Sequence, residues 1–325
     1  MAVTGLALAT AIGTALAPGS AAANEKLVYL FPAPDFLPAF APFQLAKGKG
    51  YFAEEGLDVE FRVGKGGADV AKQVALGNAD LGGGIGDTPI IVRANGLKVR
   101  GVALLGGRSL TRLAWRADSG IKGPADLKGK RIGVMSFQDT TYYNMLGVLA
   151  SAGLSKSDAE LQAVGPGGII QLTISGDLDA ISAVPEWIGA IRAAGVKLDS
   201  MPIDEIFPAM AQAVLASDDV IARRPEAIRG FVRALTRAIK DIMADPKAAA
   251  AEYVRIVPRH ADKEAAIAAV MAAYAEGVYA TEPGTPFGAF DPARLKAVQD
   301  FYIANGIVRE AVPIEDLYTN DFVAE

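Results

Sequence analysis

Short apolar runs alternate with segments of helical period along the chain from Lys26 onward. The apolar runs predict strands, whereas apolar residues three and four positions apart predict the helices between them. This alternation is typical of βα units and a mainly parallel sheet. The predicted strands cover residues 27–31, 58–63, 80–84, 99–107, 112–118, 131–135, 160–164, 180–184 and 196–201, and a further apolar run covers 211–217.

The α/β pattern restarts near Gly120, where a short turn precedes a new strand and a new helix. This restart predicts two lobes, the second of which is built between Asp118 and Ser217. Two crossings between the lobes would form a hinge. After the second crossing the chain is helical, and we expect those helices to pack on the first lobe because no linker precedes them. The predicted boundaries are 24–117 and 217–325 for lobe 1, and 118–216 for lobe 2.

Residues 1–23 differ from the rest of the chain, because they are apolar, rich in small residues and without charged side chains. Their apolar run is too short to cross a bilayer comfortably, and Ala21 and Ala23 provide an A-x-A cleavage site before Asn24. These features predict a secretory signal peptide, although the usual Lys or Arg of such a signal is missing. A buried apolar helix is the alternative.

The composition narrows the possible functions. A chain of 325 residues that is 51% hydrophobic can bury a core in each of two lobes. Its net charge of −5 and the lack of a polybasic run give no indication of binding to nucleic acid or an anionic membrane. The chain has no cysteine, which excludes disulfides, thiolate nucleophiles and cysteine-based metal sites.

Common enzyme motifs are missing from the sequence. The single histidine, His260, lies in a polar turn between predicted helices, which disfavours a His-based triad. There is no G-x-S-x-G, Walker A, H-E-x-x-H or EF-hand motif. The glycine-rich LGGGIGDT has Asp87 where a dinucleotide-binding motif requires its last glycine. The sequence therefore gives no indication of a common catalytic or metal-binding site.

Polar and aromatic residues follow several predicted strands, at the edge where open α/β sheets bind ligands. We expect these loops to meet in a cleft between the lobes. The candidate ligand-binding residues are Asp35, Phe36, Gly86, Asp87, Thr88 and Arg108 from lobe 1, and Ser136, Gln138, Thr140, Thr141, Tyr142, Glu186 and Trp187 from lobe 2.

Most of these candidates have a structural alternative. Short polar residues at the start of a helix can cap its first turn, and this applies to Asp87, Thr88, Asp139 and Thr140. Phe36 and Trp187 are large enough to be core residues. Arg108 could pair with an acidic neighbour on the surface. The convergence of five loops on one cleft favours ligand binding over independent structural roles.

The stretch QLAKGKGYFAEEGLDVEFRVGKGGADVAKQVALGNADLGGG resembles the solute-binding proteins for alkanesulfonate, taurine, nitrate and thiamine-pyrimidine precursors. It has the G-Y-F step of that family at 50–52, the E-G-L-D-V turn into a strand at 55–59, and the helix end G-N-A-D at 77–80. Further similarity lies in DSGIKGPADLKGKRIGV, ISGDLDAISAVPEW, RRPEAIRGFVRALTRAI and EDLYTNDF. The resemblance therefore spans nearly all of the chain after residue 23.

The resemblance implies a type II periplasmic binding protein, an α/β fold in which two lobes are joined by a hinge of two crossings. Such a protein closes its lobes on a small molecule in the periplasm, because the ligand contacts both lobes. It then delivers the molecule to an inner-membrane ABC permease and its ATPase. By this resemblance the chain is expected to be a monomer that needs no cofactor and is not an enzyme.

Family members that bind anions commonly use helix N-termini, and residues 86–88 and 136–141 match those loops. The candidate loops here hold Asp35, Asp87, Asp139 and Glu186 against Arg108 alone. An acidic cap competes with an anion for the same N–H groups, which weakens the case for nitrate or a sulfate-like ligand. Since aromatic residues accompany these loops, we expect an aromatic or heterocyclic ligand with hydrogen-bond donors, followed by sulfonates and carboxylates.

Two other classes of protein share the implied fold. Eukaryotic pyrimidine synthases use a lysine-bound pyridoxal phosphate and a histidine, but His260 lies outside the matching loops. The ligand-sensing domain of a transcription regulator would need an N-terminal helix-turn-helix, where this chain has an export-like segment. A pyrimidine-synthase-like enzyme is the alternative that we retain.

Overall fold

The computed structural model of the chain describes residues 1–2, 23–281 and 283–323. The predicted signal peptide at 1–23 therefore lies almost entirely outside the described residues. Within the described ranges, no helix combines the length and hydropathy needed to cross a membrane. The chain forms two five-stranded sheets with helices connecting the strands.

A strand occurs at every predicted position, with ends that differ by a few residues. The strands in chain order are β1 (Glu25–Phe31), β2 (Leu57–Val63), β3 (Leu81–Ile85), β4 (Val99–Leu104), β5 (Arg112–Arg116), β6 (Arg131–Val134), β7 (Glu160–Ala163), β8 (Ala180–Ala183), β9 (Leu198–Pro202) and β10 (Gln212–Ser217).

The helices fall into those that connect strands and those that follow the last strand. The connecting helices are α1 (Ala41–Gly48), α2 (Tyr51–Glu54), α3 (Gly67–Ala75), α4 (Thr88–Arg93), α5 (Thr140–Ser151), α6 (Gly165–Ser175) and α7 (Pro185–Ala193). The later helices are α8 (Asp218–Arg223), α9 (Pro225–Ala244), α10 (Pro246–Ile256), α11 (Glu264–Tyr274) and α12 (Pro292–Ala304).

The two sheets have equivalent strand orders. The first is β2-β1-β3-β10-β4 and the second is β7-β6-β8-β5-β9. β1 runs parallel to β2 and β3, and β6 runs parallel to β7 and β8. One strand in each sheet, β10 or β5, is antiparallel to both of its neighbours. The loops that follow the parallel strands therefore gather at one edge of each sheet.

The strand pairings place two strands in the opposite lobe from the one predicted. β5, predicted as a strand of lobe 1, pairs with β8 and β9 in the second sheet. β10, whose residues fall mostly within the predicted lobe 2, pairs with β3 and β4 in the first sheet. We therefore propose that the two crossover segments are residues 105–111 and 203–211, instead of crossings near Asp118 and Ser217.

Helix α9 packs on the first lobe as its amphipathic pattern predicts. The apolar residues of its predicted stripe are all buried: Ile228, Phe231, Val232, Leu235, Ile239 and Ile242. Phe231 stacks on Tyr29 of β1 and on Phe52 of α2, with ring centroids 5.3 Å and 4.9 Å away. An aromatic cluster therefore joins this late helix to the first sheet.

The other late helices do more than cover the first lobe. α11 packs on α10 and α9, and it also contacts α7 of the second lobe. α12 lies behind the hinge, where Phe301 stacks on Phe207 of the second crossover segment with ring centroids 5.0 Å apart. The prediction that these helices pack on lobe 1 is therefore incomplete, because two of them reach the hinge or the second lobe.

Candidate functional site

A cavity of about 50 Å³ lies between the two lobes. It is bounded by the loops that follow β1, β6 and β8, by the end of β3, by the start of β10 and by the first crossover segment. Most of its wall is apolar and consists of Pro32, Ala33, Leu37, Ala39, Phe40, Ile85, Leu110, Met135 and Val184. Both sheets contribute to this wall, so the cavity exists only while the lobes are together.

The polar part of the wall contains three buried atoms with no hydrogen-bond partner among the described residues. They are Glu186 Oε1, Trp187 Nε1 and Gln212 Oε1. Buried polar groups in folded proteins are nearly always paired, and leaving one unpaired costs about 1–3 kcal/mol. Two acceptors and one donor without a partner therefore belong to residues that line this cavity.

The cavity wall carries acidic groups and no basic ones. Among the described residues that line it, Asp139 and Glu186 have carboxyl groups, and there is no Lys, Arg or His. Thr140 and Thr141 add hydroxyl groups at the start of α5. The electrostatics of this wall favour a neutral or cationic ligand, because an anion would be buried beside a carboxyl group without a countercharge.

Glu186 lies in the first turn of α7, directly after β8 and Pro185. Tyr274 of α11 donates its hydroxyl to Glu186 Oε2 at 2.6 Å. Burial raises the pKa of Glu186 to about 7, although the hydrogen bond from Tyr274 acts in the opposite direction. The charge of this carboxyl group therefore changes close to neutral pH.

Asp139 caps its own helix and also contacts the other lobe. Its Oδ1 accepts from the backbone N–H of Thr141 at 2.9 Å, and its Oδ2 accepts from the N–H of Gly67 at 3.1 Å. The capping alternative is thus confirmed for Asp139, which precedes α5. Burial raises its pKa, while these hydrogen bonds lower it. With both oxygens engaged, Asp139 acts as a contact between the lobes.

Further contacts surround this link between the lobes. The N–H of Ala68 donates to the carbonyl of Gln138 at 3.1 Å, and the hydroxyl of Ser136 donates to the carbonyl of Lys65 at 3.4 Å. Gly66 has a φ of +107°, and a Cβ added there would lie 2.8 Å from Asp139 Cα. The lobes are therefore closed on each other, and glycine at 66 permits their close approach.

Asp87 lies at the hinge and not in the cavity. Its Oδ2 accepts from Asn144 Nδ2 and from the hydroxyl of Tyr302, each at 2.9 Å, and its Oδ1 accepts from the N–H of Met210 at 3.1 Å. Its side chain makes no capping bond to α4. Burial raises the pKa of Asp87 to about 6, against the effect of these hydrogen bonds. Asp87 thus connects lobe 1, α5 of lobe 2, α12 and the second crossover segment.

The neighbours of Asp87 in sequence also have structural contacts outside the cavity. The N–H of Gly86 donates to the carbonyl of Ala211 at 3.0 Å. Thr88 is buried, and its hydroxyl accepts from the N–H of Ile85 at 3.0 Å. Neither residue lines the cavity, although Ile85 does. The predicted anion-binding loop at 86–88 is therefore occupied by contacts within the protein.

Arg108 pairs with an acidic residue, which was its structural alternative. Its Nε donates to Asp204 Oδ2 at 2.6 Å, so the pair joins the two crossover segments. Arg294 of α12 also spans both segments, donating to the carbonyls of Gly107, Pro208 and Ala209. Two arginines therefore hold the crossover segments side by side.

The remaining candidates lie near the cavity without lining it. Asp35 and Phe36 follow β1, but their carbonyls accept hydrogen bonds from Gln44 and Tyr253. The guanidinium of Arg259 lies 3.8 Å above the Phe36 ring. Gln138 is exposed, and the Tyr142 ring packs edge-on against exposed Phe137 at 5.2 Å. Of the predicted residues, the structure brings Thr140, Thr141, Glu186 and Trp187 to the cavity.

Sequence reasoning missed most of the cavity wall in the first lobe. Pro32, Ala33 and Leu37 are apolar and look like ordinary core residues in a sequence. Gln212 was detectable, because it is the polar residue within the apolar run AQAVLAS. The apolar run does not show the direction of its strand, and because β10 is antiparallel to β3 and β4 it begins at the cleft with Gln212.

Two α/β lobes with equivalent strand orders, enclosing a cavity at the ends of their parallel strands, define the periplasmic-binding-protein fold. Residues 37–249 match the family model described as "NMT1/THI5 like", and the chain belongs to this family. The expected family and fold are both confirmed by these findings.

Named relatives within this group differ in function. The riboflavin-binding protein RibY of Chloroflexus aurantiacus is 24% identical over 289 residues, covering 87% of this chain and 82% of the relative. The 4-amino-5-hydroxymethyl-2-methylpyrimidine phosphate synthase of Aspergillus parasiticus is 27% identical over 242 residues, covering 68% of each protein. Binding proteins and an enzyme are thus similar to this chain at comparable identity.

A solved structure supports the fold assignment. The alkanesulfonate-binding protein SsuA of Xanthomonas axonopodis pv. citri, bound to MOPS, has a TM-score of 0.72 to this chain at 18% identity. The match covers 92% of this chain and all of that one. At this identity the likeness concerns the fold alone.

Proposed function

We propose that this chain is the solute-binding component of an ABC importer. It captures a small organic molecule between its lobes in the periplasm and delivers it to an inner-membrane permease and its ATPase. The observation that carries the proposal is the cavity between the lobes, with unpaired polar atoms supplied by both of them. The riboflavin-binding relative and the alkanesulfonate-binding neighbour support it.

The ligand we propose is aromatic or heterocyclic. Trp187 and Phe40 line the cavity, and the unpaired donor and acceptors suit a molecule with both kinds of hydrogen-bonding group. A cavity of about 50 Å³ is smaller than most ligand sites, so the lobes have to separate before such a molecule enters. Sulfonates and carboxylates are less compatible with a wall whose described residues include Glu186 and none that is basic.

The two tryptophans of the chain allow a direct test. Trp187 lines the cavity, whereas Trp115 lies on β5 in the core of the second lobe. In a Trp115→Phe variant, only Trp187 fluoresces as an indole, and we expect its emission to change when a ligand binds. The screen would include riboflavin, aminopyrimidines, aromatic acids, taurine, alkanesulfonates and nitrate.

A thermal unfolding screen provides an independent readout. A ligand that binds only the folded state and is present at about 100 times its Kd stabilises the protein by roughly 2.7 kcal/mol. The same compounds should shift the midpoint and change the Trp187 emission, and a Trp187→Phe variant should lose the fluorescence response. If no compound moves the midpoint or the emission, the proposed function is wrong.

Export to the periplasm and a monomeric state complete the proposal. Cleavage after Ala23 would give a mature chain that begins at Asn24, so β1 would start at the second mature residue. Intact-mass measurement of periplasmic protein should find this N-terminus, and light scattering should find a monomer. Recovery of the uncleaved chain from the cytoplasm would argue against export.

A pyrimidine-synthase-like enzyme is the second candidate, because the Aspergillus parasiticus synthase is similar to this chain. The described residues that line the cavity do not include a lysine or a histidine. His260 has its Nε2 2.8 Å from the carbonyl oxygen of Phe36 and stacks on Tyr253. Covalent attachment of pyridoxal phosphate to a lysine, seen by mass spectrometry after borohydride reduction, would favour the enzyme.

A further inference from the structure

We propose that Glu186 selects ligands that carry N–H donors, such as amidines and amino-substituted heterocycles, and couples their binding to closure of the lobes through Tyr274. This inference rests on the proposed function, because it concerns the same cavity. Glu186 would then both determine the class of ligand and link ligand binding to lobe closure.

The two oxygens of Glu186 face different parts of the molecule. Oε2 accepts a hydrogen bond from the hydroxyl of Tyr274 at 2.6 Å, whereas Oε1 has no partner at hydrogen-bond geometry among the described residues, although the backbone N–H groups of Ala39 and Glu186 also lower the pKa of this carboxyl group. The residue is 8% exposed and lines the cavity. A buried carboxylate oxygen without a donor is costly, so a ligand N–H placed against Oε1 gains the energy that the unliganded protein lacks.

The neighbouring unpaired atoms extend this pattern. Gln212 Oε1 is a second acceptor from the opposite lobe, and Trp187 Nε1 is a donor that needs an acceptor on the ligand. A molecule with N–H groups beside a ring nitrogen or carbonyl matches all three atoms. A carboxylate or sulfonate has no donor for Glu186 and would bring a second negative charge into a site of low polarity.

The hydrogen bond from Tyr274 connects this recognition to closure. Tyr274 is 1% exposed and belongs to α11, which packs on α9 and α10 beside the first lobe. Glu186 belongs to α7 of the second lobe, so the hydroxyl–carboxyl bond crosses the cleft. A ligand whose N–H binds Oε1 while Tyr274 binds Oε2 stabilises the closed arrangement through both oxygens of one carboxyl group.

The ionisable groups around Glu186 determine how binding responds to pH. They are the hydroxyls of Tyr253, Tyr274 and Tyr279 and, across the cavity, the carboxyl group of Asp139. None of these supplies a positive charge. Since burial raises the pKa of Glu186 to about 7, the site gains negative charge as the pH rises through neutrality. A cationic ligand should therefore bind more tightly at pH 8 than at pH 6.

Three probes of nearly the same shape test the selection. Benzamidine is a cation with N–H donors, benzamide is neutral with donors and an acceptor, and benzoate is an anion without donors. By calorimetry at pH 8, we expect benzamidine to bind wild-type protein at least about tenfold more tightly than benzoate, with benzamide between them. We also expect the affinity for benzamidine to fall by about three- to tenfold between pH 8 and pH 6.

Variants separate recognition from closure. Glu186→Gln should weaken benzamidine binding by about tenfold and remove its pH dependence, while changing benzamide binding by less than about threefold. Tyr274→Phe should weaken the binding of all three probes by a similar factor and keep their order of affinity. It removes the Tyr274–Glu186 hydrogen bond across the cleft and leaves Oε1 of Glu186 unchanged. Glu264→Gln, an exposed substitution on α11, is the matched control and should bind as wild type does.

Each contrary result has a defined meaning. Equal binding of benzoate and benzamidine, or a pH dependence that persists in Glu186→Gln, would overturn the selection by Glu186. A Tyr274→Phe variant with wild-type affinities would overturn the coupling to closure. If none of the three probes binds while another compound changes the Trp187 emission, the proposed selection of N–H donors by Glu186 is wrong and the proposed function stands. If no compound binds at all, the proposed function fails as well.

Discussion

The two lobes have equivalent strand orders, yet they contribute different chemistry to the cavity between them. The first lobe provides the apolar loop after β1, the end of β3 and one polar side chain, Gln212. The second lobe provides Thr140, Thr141, Glu186 and Trp187 at the starts of α5 and α7, together with the interlobe contact of Asp139. Equivalent topology therefore fixes where ligand-facing loops occur, while the residues in those loops decide which lobe recognises polar groups.

Their stabilisation differs as well. The first lobe contains an aromatic cluster in which Phe231 of α9 stacks on Tyr29 and Phe52. The described core of the second lobe is largely aliphatic around β6 and β8, with residues such as Ile132, Val134 and Ile181. We interpret lobe 1 as a stable apolar platform and lobe 2 as the half that reads the polar groups of the ligand.

The largest expected effect concerns the platform. Phe231 is fully buried, so Phe231→Ala should lower the free energy of unfolding by about 3–5 kcal/mol. Urea unfolding followed by circular dichroism would measure the loss. Met243→Ala on the same helix is the control, since Met243 is 39% exposed and should cost much less. Below its unfolding transition, Phe231→Ala should keep ligand affinity within about threefold of wild type, and a larger loss would contradict the division of roles.

A smaller effect compares two buried carboxyl groups, Asp87 of lobe 1 and Glu186 of lobe 2. Asp87 and Glu186 have pKa values raised by burial to about 6 and about 7, so the folded protein holds their protons to higher pH than the unfolded chain does. Stability should therefore fall as the pH rises from about 4 to about 7. Asp87→Asn should remove roughly 1–3 kcal/mol of this loss of stability, in the range between about pH 4 and about pH 6. Glu186→Gln should remove the contribution to the loss that continues up to about pH 7.

Unfolding in urea between pH 4 and pH 8, without ligand, would measure this dependence. Asp58→Asn is a control because Asp58 is exposed on β2. The free energy of unfolding should depend much less on pH in Asp87→Asn and Glu186→Gln than in wild type, and it should keep its wild-type pH dependence in Asp58→Asn. If the pH profiles of Asp87→Asn and wild type coincide, the hinge carboxyl does not hold its proton as the structure indicates.

The smallest expected effect tests whether the lobes must touch for the ligand to be held. Gly66→Ala would place a Cβ 2.8 Å from Asp139 Cα, so the lobes could not close fully. We expect ligand affinity to fall by about tenfold, which corresponds to about 1.4 kcal/mol. Calorimetry with a ligand from the screen would measure the loss, and small-angle scattering would show a more open average shape.

Gly77→Ala is the matched control for this substitution. Gly77 also has a positive φ, +76°, but no atom in the described part of the chain lies within 4 Å of an added Cβ. Its replacement should cost about 1–2 kcal/mol of stability through backbone strain, and it should leave ligand affinity unchanged. Equal affinity in the two variants would mean that contact at Gly66 is not needed for binding.

Local sequence patterns predicted the elements of the fold well and the pairing of two strands poorly. Apolar runs and glycine stops indicated every strand, because strand formation depends on nearby residues. The assignment of β5 and β10 to lobes depends on partners far along the chain, and both strands were assigned to the wrong side of the hinge. Their antiparallel direction is also invisible in an apolar run.

The same distinction explains the predictions for the site. Thr140, Thr141, Glu186 and Trp187 follow the parallel strands β6 and β8 and line the cavity, as their position predicts. Asp87 has the same kind of position, but its side chain turns toward Asn144, Tyr302 and Met210, which come from three other parts of the chain. A sequence shows that a polar side chain lies at the edge of a sheet, but not which of several neighbours it will meet.

The insertion of β10 between β3 and β4 has a consequence for how the chain acquires its structure. The second sheet uses only strands between Arg112 and Pro202, so all of its partners are made in one continuous stretch. The first sheet leaves a gap between β3 and β4 until Gln212–Ser217 becomes available. During synthesis from the N-terminus, the second sheet can therefore form completely before the first one does. The first sheet keeps unpaired edges on β3 and β4 until the residues of β10 have been synthesised.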